Sequence, residues 1–368
     1  MKQKETVSAM QMSMLFLAYG SGSAMINIPS PLAGAAGSGA WISIAISCAL
    51  GLPLVACMLY MHRLYPDLDF MQYGEKTLGK ALMFVIAIPY LCAVLYMLAL
   101  IVIDIGTFFS STMLKETNTD AIRALFFFLA AVTARGGIEV MVRMFLLLTV
   151  FALLFVIVIL FMAAPNYHPE FLLPIMPDGI KPILHGTYIS YGFPFAEATL
   201  FAMLLQYVRD RDRKALPKPM YAAMLVNGFM LMVCIACTIM AEGPLAGQLK
   251  YSIYQLARLI YIQEVIERVE SVIGLSLIIV SYTKATIVLY VASRALSSWA
   301  KLKNDKLLVM PIAFVCMLLS WTMYDNETNF IEAVGVIWPL LDNVAFTAPM
   351  LLIVAVTVIK RATGKLRP

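Results

Sequence analysis

Four ionisable side chains lie inside long apolar runs of this sequence: Asp104, Glu197, Lys284 and Asp342. A charge left near the centre of a bilayer costs at least about 2.5–3.5 kcal/mol, so each of them requires a partner or water. Glu197 is the foremost candidate, because it directly follows Ser190-Tyr191-Gly192-Phe193-Pro194-Phe195-Ala196, where a Gly and a Pro interrupt an apolar run beside polar side chains. A carboxylate in such a place can accept a ligand ammonium, carry a proton, or tie a broken helix to its neighbour. Two roles stand open for Lys284: a pair with Glu197, or a tethered ammonium standing in for a mobile cation. Asp104 and Asp342 lie toward the two ends of their runs, where an ion or proton path shared with Glu197 and plain helix anchoring are both open.

A second interruption lies near the start of the chain. Tyr19-Gly20-Ser21-Gly22-Ser23 is followed by Asn27-Ile28-Pro29-Ser30-Pro31. Two glycines flanking a serine weaken a helix, and the prolines cannot donate to one. Broken helices at membrane depth survive only where they line a cavity, so the two interruptions together predict a binding site near the bilayer midplane. Gly20, Ser21, Gly22, Ser23 and Asn27 belong to one side of that site, and Tyr191, Gly192, Phe193 and Glu197 to the other. Backbone N–H groups at such a break suit a carboxylate. Tyr96 and Leu100, one helical turn apart, are candidates for its wall. Taken singly, either interruption equally fits close helix packing through small residues.

The elements that position these residues are apolar helices. The chain has 368 residues, 61% hydrophobic and 13% charged, which is too little polar surface for a soluble domain. Hydropathy predicts ten spans at roughly 10–33, 40–61, 82–110, 121–135, 143–163, 184–206, 219–241, 270–293, 307–324 and 333–359, most around 20 residues and so able to cross about 30 Å of hydrocarbon, the fourth being short. The runs are continuous rather than alternating, which excludes barrel strands. The expected fold is an all-α polytopic membrane domain with helices one and six broken. Its first five-helix repeat covers 1–163 and its second 184–359, joined by a connecting segment at 164–183. Five is odd, so the halves enter the membrane from opposite sides, as in an inverted repeat.

Of the 27 Lys and Arg, all but Lys115, Arg123, Lys181, Lys250, Arg258, Arg268 and the intramembrane Lys284 fall on one side if the spans alternate. The positive-inside rule then predicts both termini in the cytoplasm. No cleavable leader is expected before the first span, nor a C-terminal targeting signal. The segment 242–269 carries an apolar stripe that includes Tyr254, Leu256, Leu259 and Ile262, expected as an amphipathic helix along the membrane surface. The six cysteines all fall in spans, and Cys234/Cys237 read as packing. His62, His168 and His185 are scattered, so no metal site and no cofactor are expected. There is no nucleophile elbow or pair of catalytic carboxylates, which argues against an enzyme. The basic residues are accounted for by topology, leaving nothing for nucleic acid.

Gly20-Ser21-Gly22 resembles the Gly-Ser-Gly turn of permeases in the amino acid–polyamine–organocation superfamily, and Phe193–Glu197 resembles the unwound part of their sixth helix. Further motifs in order resemble the B subunit of spore germinant receptors, the spore germination permease family. These are Leu114-Lys115-Glu116-Thr117-Asn118, with Asn118 in place of proline, and Arg135-Gly136-Gly137-Ile138-Glu139-Val140. They continue with Leu173-Pro174-Ile175, then Phe193-Pro194-Phe195-Ala196-Glu197 with Ala196 where glycine is common, and Glu267-Arg268-Val269-Glu270-Ser271. The resemblance implies a spore inner-membrane protein working with an A subunit and a lipoprotein C subunit. It would bind a small germinant, typically an L-amino acid, and trigger germination. A secondary amino-acid transporter of the same fold is the other reading.

Overall fold

The computed structural model describes residues 5–22, 24–260, 270–302, 304–324 and 326–364, with backbone only for Glu327. Ser23, and with it one expected site residue, lies outside the described residues, as do Glu267, Arg268 and Val269 of the motif before span eight. Among the described residues the chain is helical throughout and forms no strand. A single isolated bridge pairs Val7 with Val208.

Seven helical stretches are long and apolar enough to cross a membrane: Pro29–Leu64, Lys80–Thr112, Ile138–Met162, Pro217–Leu245, Glu270–Trp299, Asp305–Thr322 and Thr328–Ala362. The protein is an integral membrane protein. The three remaining expected spans fall short of that measure for visible reasons. The first is cut into α1 (Ala9–Ser21), α2 (Ala24–Asn27) and α3 (Pro29–Ala36). The fourth, α7 (Thr119–Gly136), carries Asp120, Arg123 and Arg135. The sixth starts as α9 (Ile180–Ser190) and then leaves α geometry at Tyr191–Phe195, Ala196–Met203 and Leu205–Tyr207.

The first stretch is interrupted by a turn at Gly37–Gly39, where Gly37 has φ 55°, after which α4 (Ala40–Leu64) runs on. A helix that hydropathy misses follows. It is α5 (Phe70–Leu78), short and capped by Asp69, whose carboxylate accepts from the Gln72 N–H at 2.9 Å while the Gln72 side chain accepts from the Asp69 N–H. Next come α6 (Lys80–Thr112), α7 and α8 (Ile138–Met162). In the second half α10 (Pro217–Glu242) leads to α11 (Ser252–Arg258). Ser252, Ile253, Tyr254, Leu256 and Ala257 of α11 are buried, and α11 packs on α2, α3, α10 and α12 (Glu270–Trp299). The described part of the expected surface helix is therefore tucked into the protein, because its apolar stripe meets helices rather than lipid. α13 (Val309–Thr322), α14 (Glu327–Glu332), α15 (Trp338–Asp342) and α16 (Ala348–Ala362) complete the chain, with π turns at Ala333–Ile337 and Asn343–Thr347 on either side of α15.

Helices distant in sequence interlock. α4 packs on α9 and α10, α1 on α8, α10 and α12, and α12 on α6, α7 and α8. Large apolar side chains such as Phe84, Phe151, Phe161 and Leu340 point outward, the pattern of helices facing lipid tails rather than water.

Candidate ligand-binding site

Both interruptions are real departures from the helix. Gly22 closes α1 at φ −37°, ψ −129°, and Phe193 sits at φ −138°, ψ 112° between helical neighbours. They lie close together at the buried centre. The Tyr19 hydroxyl donates to the Glu197 backbone carbonyl at 3.2 Å and reaches its carboxylate at 3.5 Å. The Tyr19 ring packs on Phe201 with centroids 5.3 Å apart.

Glu197 is the hub. One carboxylate oxygen receives the Lys284 ammonium at 2.6 Å, and the other receives the Trp338 indole N–H at 2.8 Å. Glu197 and Lys284 are both 0% exposed. Two charges this deep persist only when paired and hydrogen-bonded, and here they are. The ammonium also lies 4.1 Å from the Phe193 ring centroid and 5.2 Å from that of Tyr19, within cation–π range. The Lys284 stem lies against the first interruption: a Cβ on Gly22 would stand 2.5 Å from the Lys284 Cβ and Cδ. Glycine at position 22 is therefore what lets α12 bring its lysine through to Glu197.

Asp104 on α6 accepts from the Asn27 amide at 2.7 Å, tying the short helix after the first interruption to span three. Asp342 on α15 is 0% exposed, and neither of its oxygens has a hydrogen-bond partner among the described residues. It lies within electrostatic range of both Glu197 and Lys284.

A cavity of about 20 Å³ opens beside Glu197, lined by Asn27, Met97, Leu100, Ile101, Phe193, Phe330, Val334 and Trp338 as well. That holds about one water molecule, whereas small-molecule pockets occupy about 300–1,000 Å³. Spans three and ten form most of its wall. The π turns flanking α15, a feature common at functional sites, are where span ten can give.

Of the residues singled out in the sequence, Asn27, Leu100, Phe193 and Glu197 line this cavity. Gly22, Lys284 and Tyr19 are off the lining but pack together beside Glu197. Gly20 and Ser21 instead face Asn227 of α10, with Ser21 Oγ 3.3 Å from its side-chain oxygen. Tyr96 is not on the lining. Its hydroxyl meets that of Tyr324 at 2.5 Å and its ring stacks on Trp338 at 5.9 Å, one layer outward. Gly192 faces Pro339, whose Cα would stand 2.6 Å from a Cβ placed there. Tyr191 is half-buried and also off the lining. Sequence reasoning passed over Tyr19, Asn227 and Trp338; the last is the aromatic four residues before Asp342 on the same helix face, a spacing that marked it out. Among the described residues no group of His, Cys, Asp and Glu suits a metal.

Interrupted helices that meet around a buried ion pair, within an all-helical membrane protein, define a permease-type fold. The sequence profile of the spore germination proteins, or spore permeases, matches residues 6–328, and the chain belongs to that family. It is 26% identical over 334 residues to spore germination protein KB of Bacillus subtilis (strain 168), covering 90% of this chain and 87% of that one. Solved structures of transporters share the fold. A Na+-coupled sialic acid symporter in a substrate-bound outward-open state has a TM-score of 0.70 at 12% identity, over 95% of this chain and 82% of that one. MhsT in complex with L-phenylalanine has 0.68 at 15%, over 97% and 90%. Mhp1, a nucleobase-cation-symport-1 family transporter in a closed conformation with bromovinylhydantoin bound, has 0.68 at 10%, over 98% and 94%. Family and fold assign the chain to germination permeases and not to enzymes.

Proposed function

We propose that this protein is the membrane-embedded subunit of a germinant receptor, and that it binds a small germinant, an L-amino acid, between its two interrupted helices. The observation that carries the reading is the convergence of Tyr19, Phe193, Glu197, Lys284 and Trp338 on one buried point in a chain of the spore germination protein family. An aromatic wall and a carboxylate suit an ammonium; the Asn27–Asp104 pair and the first interruption supply polar groups for the remainder of the molecule. Binding shifts a conformational equilibrium, and partner subunits read the shift.

The reading includes ten crossings in two five-helix halves, 1–163 and 184–359, joined by 164–183, all in one transmembrane domain. Both termini face the cytoplasm of the spore inner membrane, and the partners are an A subunit and a lipoprotein C subunit. The positions of the interruptions, one opening each half, and the distribution of Lys and Arg support this arrangement. Asp104, Glu197 and Asp342 would form the ion or proton path.

The likeness to transporter structures favours a second reading, secondary transport of an amino acid, since one fold hosts both tasks. Reconstitution of the purified chain in liposomes with labelled amino acids separates them. Binding without accumulation, together with loss of germination on deletion of the gene, is the expected result; concentrative uptake driven by an ion gradient would replace the receptor with a transporter.

A further inference from the structure

The buried centre holds one ammonium and three carboxylates, of which Asp104 is taken up by the Asn27 amide. Both carboxylate oxygens of Glu197 have a donor, Lys284 on one and Trp338 on the other. Asp342 is equally buried, yet both its oxygens lack a hydrogen-bond partner among the described residues, while Lys284 lies within its electrostatic range. A buried carboxylate without a partner is costly, and the cost is recovered when a cation reaches it. Lys284 lies within electrostatic range of Glu197 and Asp342 alike. Its ammonium is a compact charge on a flexible four-carbon stem, and that stem lies in the gap left by Gly22. Asp342 is on α15, which two π turns separate from the rest of span ten.

We infer that Lys284 is the resident occupant of the site's ammonium seat on Glu197, and that a primary ammonium compound entering the site displaces it onto Asp342. The inference rests on the ligand site of the proposed function and adds the class of group recognised and the movement it causes. The exchange adds one cation: the incoming ammonium pairs with Glu197 between the Tyr19 and Phe193 rings, the released lysine pairs with Asp342, and a proton held by Asp342 leaves to water. Two carboxylates are then matched by two cations. A neutral isostere cannot complete the exchange, because it leaves Lys284 on Glu197. The ligand's charge thereby acts on α15, and through its flanking π turns on span ten.

The test uses the full chain purified in detergent and a panel of L-amino acids, each with its N-acetyl derivative, followed by titration calorimetry. Wild type is expected to bind at least one free amine and not its N-acetyl form. Lys284→Gln keeps an N–H donor for Glu197 but removes the competitor, so the same amine should bind about tenfold tighter, equal to about 1.4 kcal/mol. Asp342→Asn removes the receiving seat, and binding should weaken about tenfold, again about 1.4 kcal/mol. Should Lys284→Gln aggregate, Lys284→Arg preserves the ion pair and decides the matter, since a planar guanidinium held by Glu197 is harder to displace and the amine should bind more weakly. An amine that binds wild type and Lys284→Gln equally, or that binds Lys284→Arg as well as wild type, overturns the exchange and leaves the ligand site standing. N-acetyl forms that bind as well as free amines, or no binding to any of these proteins, would remove the site and the exchange together.

Discussion

The Tyr19 hydroxyl donates to the backbone carbonyl of Glu197 at 3.2 Å, joining the last turn before the first interruption to the first turn after the second. Residues so far apart in the chain meet where each of the two spans gives up regular α-helical hydrogen bonding. The freed backbone is satisfied across the gap. The same contact orients Glu197, whose two oxygens then face Lys284 and Trp338.

The Glu197–Lys284 pair is strongly context-dependent. Glu197→Gln leaves a buried ammonium facing a neutral amide, and breaking a buried pair in this way costs about 3–5 kcal/mol. The thermal midpoint in detergent should fall markedly, and the double variant Glu197→Gln/Lys284→Met should recover part of the loss. A single variant as stable as wild type would mean the pair is not buried as described.

Gly192 is a packing contact with span ten. A Cβ there would stand 2.6 Å from Pro339 Cα, whereas one on Gly335 would meet nothing within 4 Å. Gly192→Ala should cost about 1–3 kcal/mol by overpacking, and Gly335→Ala should stay within about 0.5 kcal/mol. Paired thermal melts compare them directly; equal effects would contradict the close approach.

The N-terminal segment is stitched to three other parts of the chain. Glu5 accepts from the Ile138 N–H and from Lys306 Nζ, each at 2.8 Å, and Thr6 N–H donates to Glu139 at 2.8 Å. Val7 exchanges backbone hydrogen bonds with Tyr207 and Arg209 at 2.8 and 3.0 Å. Glu5→Ala should cost about 1 kcal/mol and speed hydrogen exchange at the Val7 and Arg209 amides. Unchanged exchange there would show that the segment is held without Glu5.

Asp69, between spans two and three, gives a pH dependence. Burial raises its pKa from the ordinary carboxylate value, outweighing the Gln72 N–H, Ser298 and Arg294, which favour the ionised form. The folded carboxyl therefore holds its proton more tightly than the unfolded one, and ionisation opposes folding. Stability contributed here is lost as pH rises from about 4, the unfolded value, through the raised folded value. Asp69→Asn keeps the helix cap but not the charge, so its midpoint relative to wild type should climb across that window. A difference independent of pH would contradict the assignment.

Seven of the apolar spans and the two interruptions are legible in the sequence because apolar run length and Gly-Pro placement are local signals. Glu197 was legible for the same reason, as an ionisable group beside a break. α5 escaped because nine residues are too few for a hydropathy window, although the Asp69-x-x-Gln72 capping box announces it. Tyr96 was placed on the wall by helical spacing, but spacing gives the face of a helix and not the layer. Trp338 stands between Tyr96 and the cavity. Ser21 turning to Asn227 depends on how span seven packs, which no local pattern encodes.

The proposed ligand space lies between the two interruptions beside Glu197. Leu100 lines that space and Phe161 on span five is outward and 81% exposed, so Leu100→Cys and Phe161→Cys, made in a background lacking the six native cysteines, report the two environments. Modification by a small thiol reagent should be slowed several-fold by a binding L-amino acid at Cys introduced for Leu100, and not at the outward control. Equal rates with and without the amino acid at both positions, under conditions where calorimetry shows it bound, would place the ligand elsewhere.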